Sequence, residues 1–171
     1  MFQAGDLVMY GTTGVCRVEE ITTPVGGTTG KPYYLLKPLY QNGTVYTPVE
    51  NGKVPMRPIL TAAEADALID AIPTVQASVV SGTTLQAVAA QYQTALRSSD
   101  CYELLRLMKS IYQKQHPASD EKQRGGNMEE RFRKQGELLL YGELAAALSI
   151  PIGEVPAYIA RRLEAIEQET T

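Results

Sequence analysis

The chain has 171 residues, of which 44% are apolar, and a formal net charge of −3. This length suits one globular domain or two small ones, and the net charge excludes a uniformly basic surface. The two cysteines, Cys16 and Cys101, lack metal-ligand spacing and predict no disulfide framework. No signal peptide is recognisable and no apolar run approaches the ~20 residues of a membrane helix, so we expect a cytoplasmic protein without membrane contact.

The first part of the chain, residues 1–58, is predicted to fold as a small SH3-like or Tudor-like β-barrel. Short apolar stretches, some with period-two alternation, are separated there by strong turn signals. The predicted strands are 7–10, 15–21, 33–36, 44–47 and 54–57. Asn42-Gly43 predicts a tight hairpin between the third and fourth strands, because both turn positions need positive φ.

The second part, residues 61–171, is predicted to form an all-α bundle of about five helices, which makes the fold class α+β with two domains. Thr61 and Glu64 have the spacing of a capping box at the start of the first helix. The predicted helices are 61–72, 85–96, 101–116, 127–149 and a last helix that starts near Pro156. The apolar stripe of the third helix consists of Cys101, Leu104, Leu105, Met108, Ile111 and Tyr112. The end of the fourth helix is apolar nearly all round, which predicts a central position in the bundle.

Residue types and motifs typical of catalysis are scarce. The single histidine, His116, stands before Pro117 at a predicted helix end, where a capping role is far more common than catalysis. The sequence contains no phosphate-binding loop, no H-E-x-x-H motif and no G-x-S-x-G motif. The carboxylates are predicted to fall at helix caps and on solvent faces. We therefore predict no enzyme, no cofactor, no metal site and no small-molecule substrate; a hydrolase or transferase would need a cleft with perturbed acidic groups.

Charge is unevenly distributed in the helical part. Residues 97–134 hold nine Lys/Arg against six Asp/Glu, whereas residues 135–171 hold two against six. A basic middle is compatible with contact to nucleic acid over a limited surface, and a solvated face with ion pairs is the alternative. The cations that we select as DNA-contact candidates are Arg97, Arg106, Lys109 and Lys114. Arg106 and Lys109 share one side of their helix, opposite the apolar stripe.

Six motifs follow one another in a specific order along nearly the whole chain. They are Phe2-x-x-Gly5-Asp6-x-Val8-x-Tyr10, Gly14-Val15-x-x-Val18-x-x-Ile21, Tyr33-Tyr34-Leu35-Leu36, Val45-Tyr46-Thr47-Pro48-Val49-Glu50-Asn51, Tyr92-x-x-x-Leu96-x-Ser98-x-Asp100 and Glu137-Leu-Leu-Leu140-Tyr141-Gly142-Glu143-Leu144-Ala145. In this order they resemble the CarD family of bacterial transcription regulators. The barrel is also similar to the polymerase-interacting domain of the transcription-repair coupling factor, a large helicase whose motor does not fit in 171 residues.

The resemblance implies a regulator whose barrel docks on the RNA polymerase β subunit, partly through a strand edge. The helical domain would then contact promoter DNA without sequence specificity and stabilise the open complex, in association with the nucleoid. The implied polymerase contacts are Ile21, Thr22, Thr23, Pro24, Val45, Tyr46 and Thr47.

The chain departs from many family members at one helix position. Where those members carry a Trp that wedges into the minor groove, this chain has Val88, and it contains no Trp. Val88 is predicted to pack in the core instead. The alternative function is therefore a polymerase-binding or protein-binding module that makes no DNA contact.

Overall fold

The computed structural model describes residues 2–22, 31–50, 52–77, 84–115 and 127–169. Its strands are β1 (Leu7–Tyr10), β2 (Gly14–Thr22), β3 (Tyr33–Pro38), β4 (Val45–Pro48) and β5 (Met56–Pro58). Its α-helices are α1 (Ala62–Ala71), α2 (Leu85–Arg97), α3 (Cys101–Gln115), α4 (Asn127–Leu148) and α5 (Val155–Glu169). A five-stranded antiparallel sheet is thus followed by five helices, consistent with a Tudor-like barrel domain and a helical region. This confirms the predicted fold class of a small β-barrel followed by a helical bundle, whereas the division into domains at residues 1–58 and 61–171 stays a prediction.

The five strands form one antiparallel sheet in the order β4-β3-β2-β1-β5. Because side chains alternate between the two faces of a strand, the apolar residues of β1 and β2 divide between two cores. Val8, Cys16 and Val18 pack inside the sheet domain. Met9 and Val15, which point the other way, pack in the core of the helical domain. The sheet and the helices therefore share apolar contacts across their boundary.

The connection between β3 and β4 differs from the predicted two-residue hairpin. The strands do pair, but residues 39–44 join them, and Gly43 has a positive φ (117°) while Asn42 does not. Leu39 and Tyr40 leave the sheet and pack against the helical core. Burial of these two side chains favours a longer connection over the tight turn that the local sequence predicts.

The start of α1 agrees with the capping pattern predicted from the sequence. Thr61 and Glu64 form the predicted capping box, with the Glu64 amide donating to Thr61 Oγ1 at 3.1 Å and the Thr61 amide donating to Glu64 Oε1 at 3.0 Å. The central position predicted for the long helix is also confirmed, because α4 contacts β2 and each of the other four helices.

The apolar stripe of α3 is confirmed except at Tyr112, whose exposed fraction is 62%. Leu107, which lies outside the predicted stripe, is buried instead. The reason is that α3 packs against both α2 and α4, so that a wider part of its surface is covered. Tyr112 lies in the last turn of α3 and lines an open pocket.

No single helix in the described ranges is long and apolar enough to cross a membrane. The segments 128–148 and 152–168 meet that criterion only when taken together, and they are bent by 101° at their junction.

Candidate functional site

The β4 strand forms one edge of the sheet, so it presents one side of its backbone away from β3. Tyr46, in the middle of this strand, has an exposed fraction of 60%. Its neighbours face the other way: Thr47 is 3% exposed and Val45 is half-buried, opposite Tyr34 and Leu36 of the domain core. Of the three β4 residues predicted to contact polymerase, Tyr46 alone presents its side chain outward, and the other two can offer only backbone groups.

The predicted contacts on β2 lie one strand further from this edge. Thr22 is paired with Tyr33, and Tyr33 is paired with Pro48 of β4, so these residues share the outer face of the sheet. Ile21 is opposite the buried Tyr34, yet it is exposed, with an exposed fraction of 37%. A register shift between Val18 and Glu20 alters the alternation just before it. The two remaining predicted contacts, Thr23 and Pro24, lie outside the described residues.

Two further residues of this outer face were not predicted from the sequence. Tyr33 and Leu35 are half-buried and are paired with Pro48 and Tyr46. The sequence of this strand could have indicated them. Because side chains alternate along a strand, burial of Tyr34 and Leu36 places Tyr33 and Leu35 on the outer face. Tyr33, Leu35, Tyr46 and Pro48 together are called the β3–β4 patch below.

The predicted DNA-contact residues do not form one exposed row. Arg97 is exposed at the end of α2. Arg106 Nε donates to the carbonyl of Gln76 at 3.2 Å, and Lys109 Nζ donates to the carbonyl of Val75 at 2.6 Å. These two cations therefore hold the segment after α1 against α3. The side chain of Lys114 is outside the described part of the chain, as is His116.

Val88, at the position where many family members carry Trp, is partly buried and packs against the helical core, as predicted. The exposed large apolar residue of α2 is Leu85, in its first turn.

A largely buried polar cluster joins the sheet to the helices, and no pattern in the sequence indicates it. Arg57 of β5 and Glu143 of α4 form a two-pronged ion pair, with Nη1–Oε2 and Nη2–Oε1 distances of 2.6 and 2.8 Å. Arg57 Nε also donates to the Ser99 carbonyl at 2.6 Å, and the Leu60 amide donates to Glu143 Oε2 at 2.9 Å. The hydrogen bond to Glu143 is the main reason that the pKa of Arg57 is raised.

Glu143 has an exposed fraction of only 2%, and Glu129 is also buried. The prediction that the carboxylates fall at caps and on solvent faces is therefore wrong for Glu143, which is buried in the interior of α4, whereas Glu129 lies in the first turn of that helix. A cross-domain partner explains the burial of Glu143, because a charge without one would be strongly disfavoured there.

Next to this pair, the side chain of Tyr40, in the connection between β3 and β4, contacts α4. Its hydroxyl donates to the carbonyl of Gly142 at 3.1 Å. A Cβ atom at position 142 would lie 3.0 Å from the Tyr40 ring, so the close approach of the ring depends on glycine. The Gly142-Glu143 pair within the last sequence motif thus serves the contact between the sheet and α4.

Both cysteines are buried, and Cys101 Sγ lies 3.1 Å from Glu143 Oε1. Burial raises the pKa of Cys16 to about 11. Burial, followed by the charge of Glu143, raises the pKa of Cys101 to about 12. Because these values exceed the ordinary value of 9.0, the thiols of the unfolded chain ionise first, and their contribution to stability is lost as the pH rises from about 9 towards 12.

We therefore expect both native thiols to resist iodoacetamide at pH 8 in the folded protein and to react once urea unfolds it. Mass spectrometry of the alkylated protein measures this directly. The control is a Lys37→Cys variant, in which the exposed added thiol should react within minutes. Rapid alkylation of Cys16 or Cys101 without denaturant would contradict the expectation.

A pocket of about 490 Å³ opens among α1, α3, α4 and α5. Its lining is mostly apolar, and its carboxylate, Glu137, is ion-paired with Arg133 at 2.7 Å. Within the described ranges, no group of three or more His, Cys, Asp or Glu side chains is arranged to hold a metal ion.

The edge strand and its aromatic patch, on a small sheet packed against helices, are features of a protein-interaction domain. Residues 2–60 match the family model of the CarD-like/TRCF RID domain, and this part of the chain belongs to that domain family. The domain family interacts with the RNA polymerase β subunit. The match covers the sheet and the linker as far as Leu60, and α1 to α5 lie outside it. No curated protein matches the chain.

Proposed function

We propose that this protein is a bacterial transcription regulator that docks on the RNA polymerase β subunit through the β4 edge. The observation that carries the proposal is the family match of residues 2–60 together with the exposed Tyr46 on that edge. An edge strand can add to a sheet of a partner through backbone hydrogen bonds, while an exposed aromatic side chain supplies buried area at the contact. The β3–β4 patch would extend this contact over the outer face of the sheet.

In the same proposal, the helical domain contacts promoter DNA and stabilises the open complex, which places the protein in the cytoplasm at the nucleoid. The exposed Arg97 supports this part, and the exposed Leu85 offers an apolar side chain at the start of the same helix. A protein that binds the open state better than the closed state shifts the population towards the open state.

A second candidate function is a polymerase-binding module that makes no DNA contact. It is favoured by Arg106 and Lys109, because both cations donate to carbonyls of the same chain. The net charge of −3 also gives no general attraction to phosphates.

Tyr46→Glu is expected to weaken binding of the full-length chain to the polymerase β-subunit lobe by roughly a factor of ten or more. The reason is that a carboxylate at the centre of the contact would have to be desolvated without a partner. Surface-immobilised lobe and interferometry measure the affinity. Tyr102→Glu, at a half-exposed tyrosine of α3, is the matched control. The full chain is used because a 1–60 fragment would expose Met9 and Val15. Equal affinities of wild type and Tyr46→Glu would overturn the docking proposal.

Arg97→Glu is expected to weaken DNA binding and to make the slope of log affinity against log salt shallower by about 0.9 for each phosphate that is no longer neutralised. Fluorescence anisotropy with a labelled duplex at several salt concentrations measures this slope. Arg161→Glu, an exposed arginine of α5, is the control. Arg97 is a cleaner probe than Arg106 or Lys109, since charge reversal at those two positions would also break hydrogen bonds within the fold. A weak affinity of the wild type without salt dependence would favour the second candidate function.

A further inference from the structure

The boundary between the sheet and the helical domain, called the joint below, consists of a short linker and the side-chain contacts around it. Between the end of β5 at Pro58 and the start of α1 at Ala62, only three residues connect the domains. The amide of Leu60, within this linker, donates to Glu143. The linker is therefore both short and anchored to α4.

At this joint, the apolar contacts between the sheet and the helices lie directly beside the polar contacts. Met9 and Val15 extend from the sheet into the helical core, and Tyr40 lies directly on Gly142. Beside them, Arg57 reaches both Glu143 in α4 and the carbonyl of Ser99 in the turn before α3. Two hydrogen bonds between a planar guanidinium and a carboxylate define an orientation, whereas apolar contacts alone can slide.

We infer that Arg57 and Glu143 are positioning residues that fix the direction in which the helical domain is held relative to the β4 edge. The inference rests on the proposed function, because the direction matters only when the edge is docked on polymerase. A rigid joint presents α2 at one place on the promoter, which raises its effective concentration there. It also avoids the cost of ordering two mobile domains at the moment of binding.

The first part of the test measures the distance between the sheet and α5 in the protein alone, without polymerase or DNA. Spin labels are attached to Lys37→Cys in the sheet and Arg161→Cys in α5, two exposed positions, while the buried native thiols stay unlabelled. Pulsed electron paramagnetic resonance then gives the distribution of distances between the domains. We expect a single narrow distribution for the parent chain.

Two variants disturb the joint by different means. Glu143→Gln keeps the side-chain volume and an acceptor for the Leu60 amide but removes the charge that holds Arg57. Gly142→Ala keeps the ion pair but places a Cβ 3.0 Å from the Tyr40 ring. Both should broaden or shift the distribution. The matched control is Glu137→Gln, which breaks an ion pair inside the helical domain, with Arg133, and should leave the distribution unchanged.

The second arm measures function. Both joint variants should bind the β-subunit lobe within about twofold of wild type, since the β4 edge is intact. Their extension of open-complex lifetime should fall to about a tenth, because the helical domain is no longer held at the promoter. If Arg57 and Glu143 only stabilised the fold, the variants would not lose the extension of open-complex lifetime while keeping their affinity for the β-subunit lobe.

Unchanged distance distributions in both variants would overturn the inference. So would broadened distributions with a fully retained extension of open-complex lifetime. If the wild type shows no affinity for polymerase, the proposed function is rejected, and the distance distributions still decide whether Arg57 and Glu143 hold the orientation.

Discussion

Arg57→Ala is expected to lower the free energy of unfolding by about 3–5 kcal/mol, the usual cost of removing one partner from a buried ion pair. The remaining partner, Glu143, is 2% exposed, so its charge would be left buried without compensation. The Leu60 amide and the Cys101 thiol remain beside it, but neither carries a positive charge.

Glu143→Ala should cost less, about 1–3 kcal/mol, although it breaks the same ion pair. Arg57 keeps an exposed fraction of 27% and a long side chain, so its guanidinium can turn towards water and retain part of its hydration. The asymmetry follows from which charge is left buried, and it does not depend on the strength of the pair itself.

Urea denaturation followed by circular dichroism measures both changes. Glu137→Ala is the control, because its ion pair with Arg133 is about one third exposed on both sides and should contribute less than about 1 kcal/mol. The expectation fails if Glu143→Ala is the more destabilising of the two variants, or if Arg57→Ala matches the control.

Tyr92→Ala is expected to destabilise the helical domain by about 3–5 kcal/mol, as is typical of removing a large aromatic side chain from a core. Tyr92 is fully buried, and its ring meets the ring of Phe132 edge to face with centroids 5.2 Å apart. This contact joins α2 to α4, the helix around which the domain is packed. Removal of the ring would leave a cavity between two helices and abolish the aromatic pair as well.

Thermal and urea unfolding measure this effect. Tyr102→Ala changes the same residue type at a half-exposed position of α3 and should stay within roughly 0.5 kcal/mol of wild type. A small effect of Tyr92→Ala would mean that the ring does not fill the space between α2 and α4.

The sequence by itself determined the features that depend on neighbouring residues. The five strands and five helices occur where alternation and helical spacing predict them, with ends that differ by a few residues. The capping box at Thr61 and Glu64 formed as predicted, because its hydrogen bonds join residues three positions apart. The order of the motifs also indicated the domain family of residues 2–60, since those motifs are local patterns in a fixed order.

Within the docking candidates, the sequence identified an edge strand but could not separate its side chains. Tyr46 and Thr47 are adjacent and both suit a strand, yet one is exposed and the other is buried. Which face of β4 is covered depends on its register with β3 and on the core beneath the sheet, neither of which a pattern within β4 alone specifies.

The contact between the sheet and the helices was decided by tertiary structure alone. Arg57 and Glu143 are 86 positions apart, and no local pattern marks either residue as buried. The same holds for Met9 and Val15, whose apolar character predicts burial but not which of two cores receives them. Local signals specify which residues avoid water, whereas the packing of one element on another decides which partners they meet.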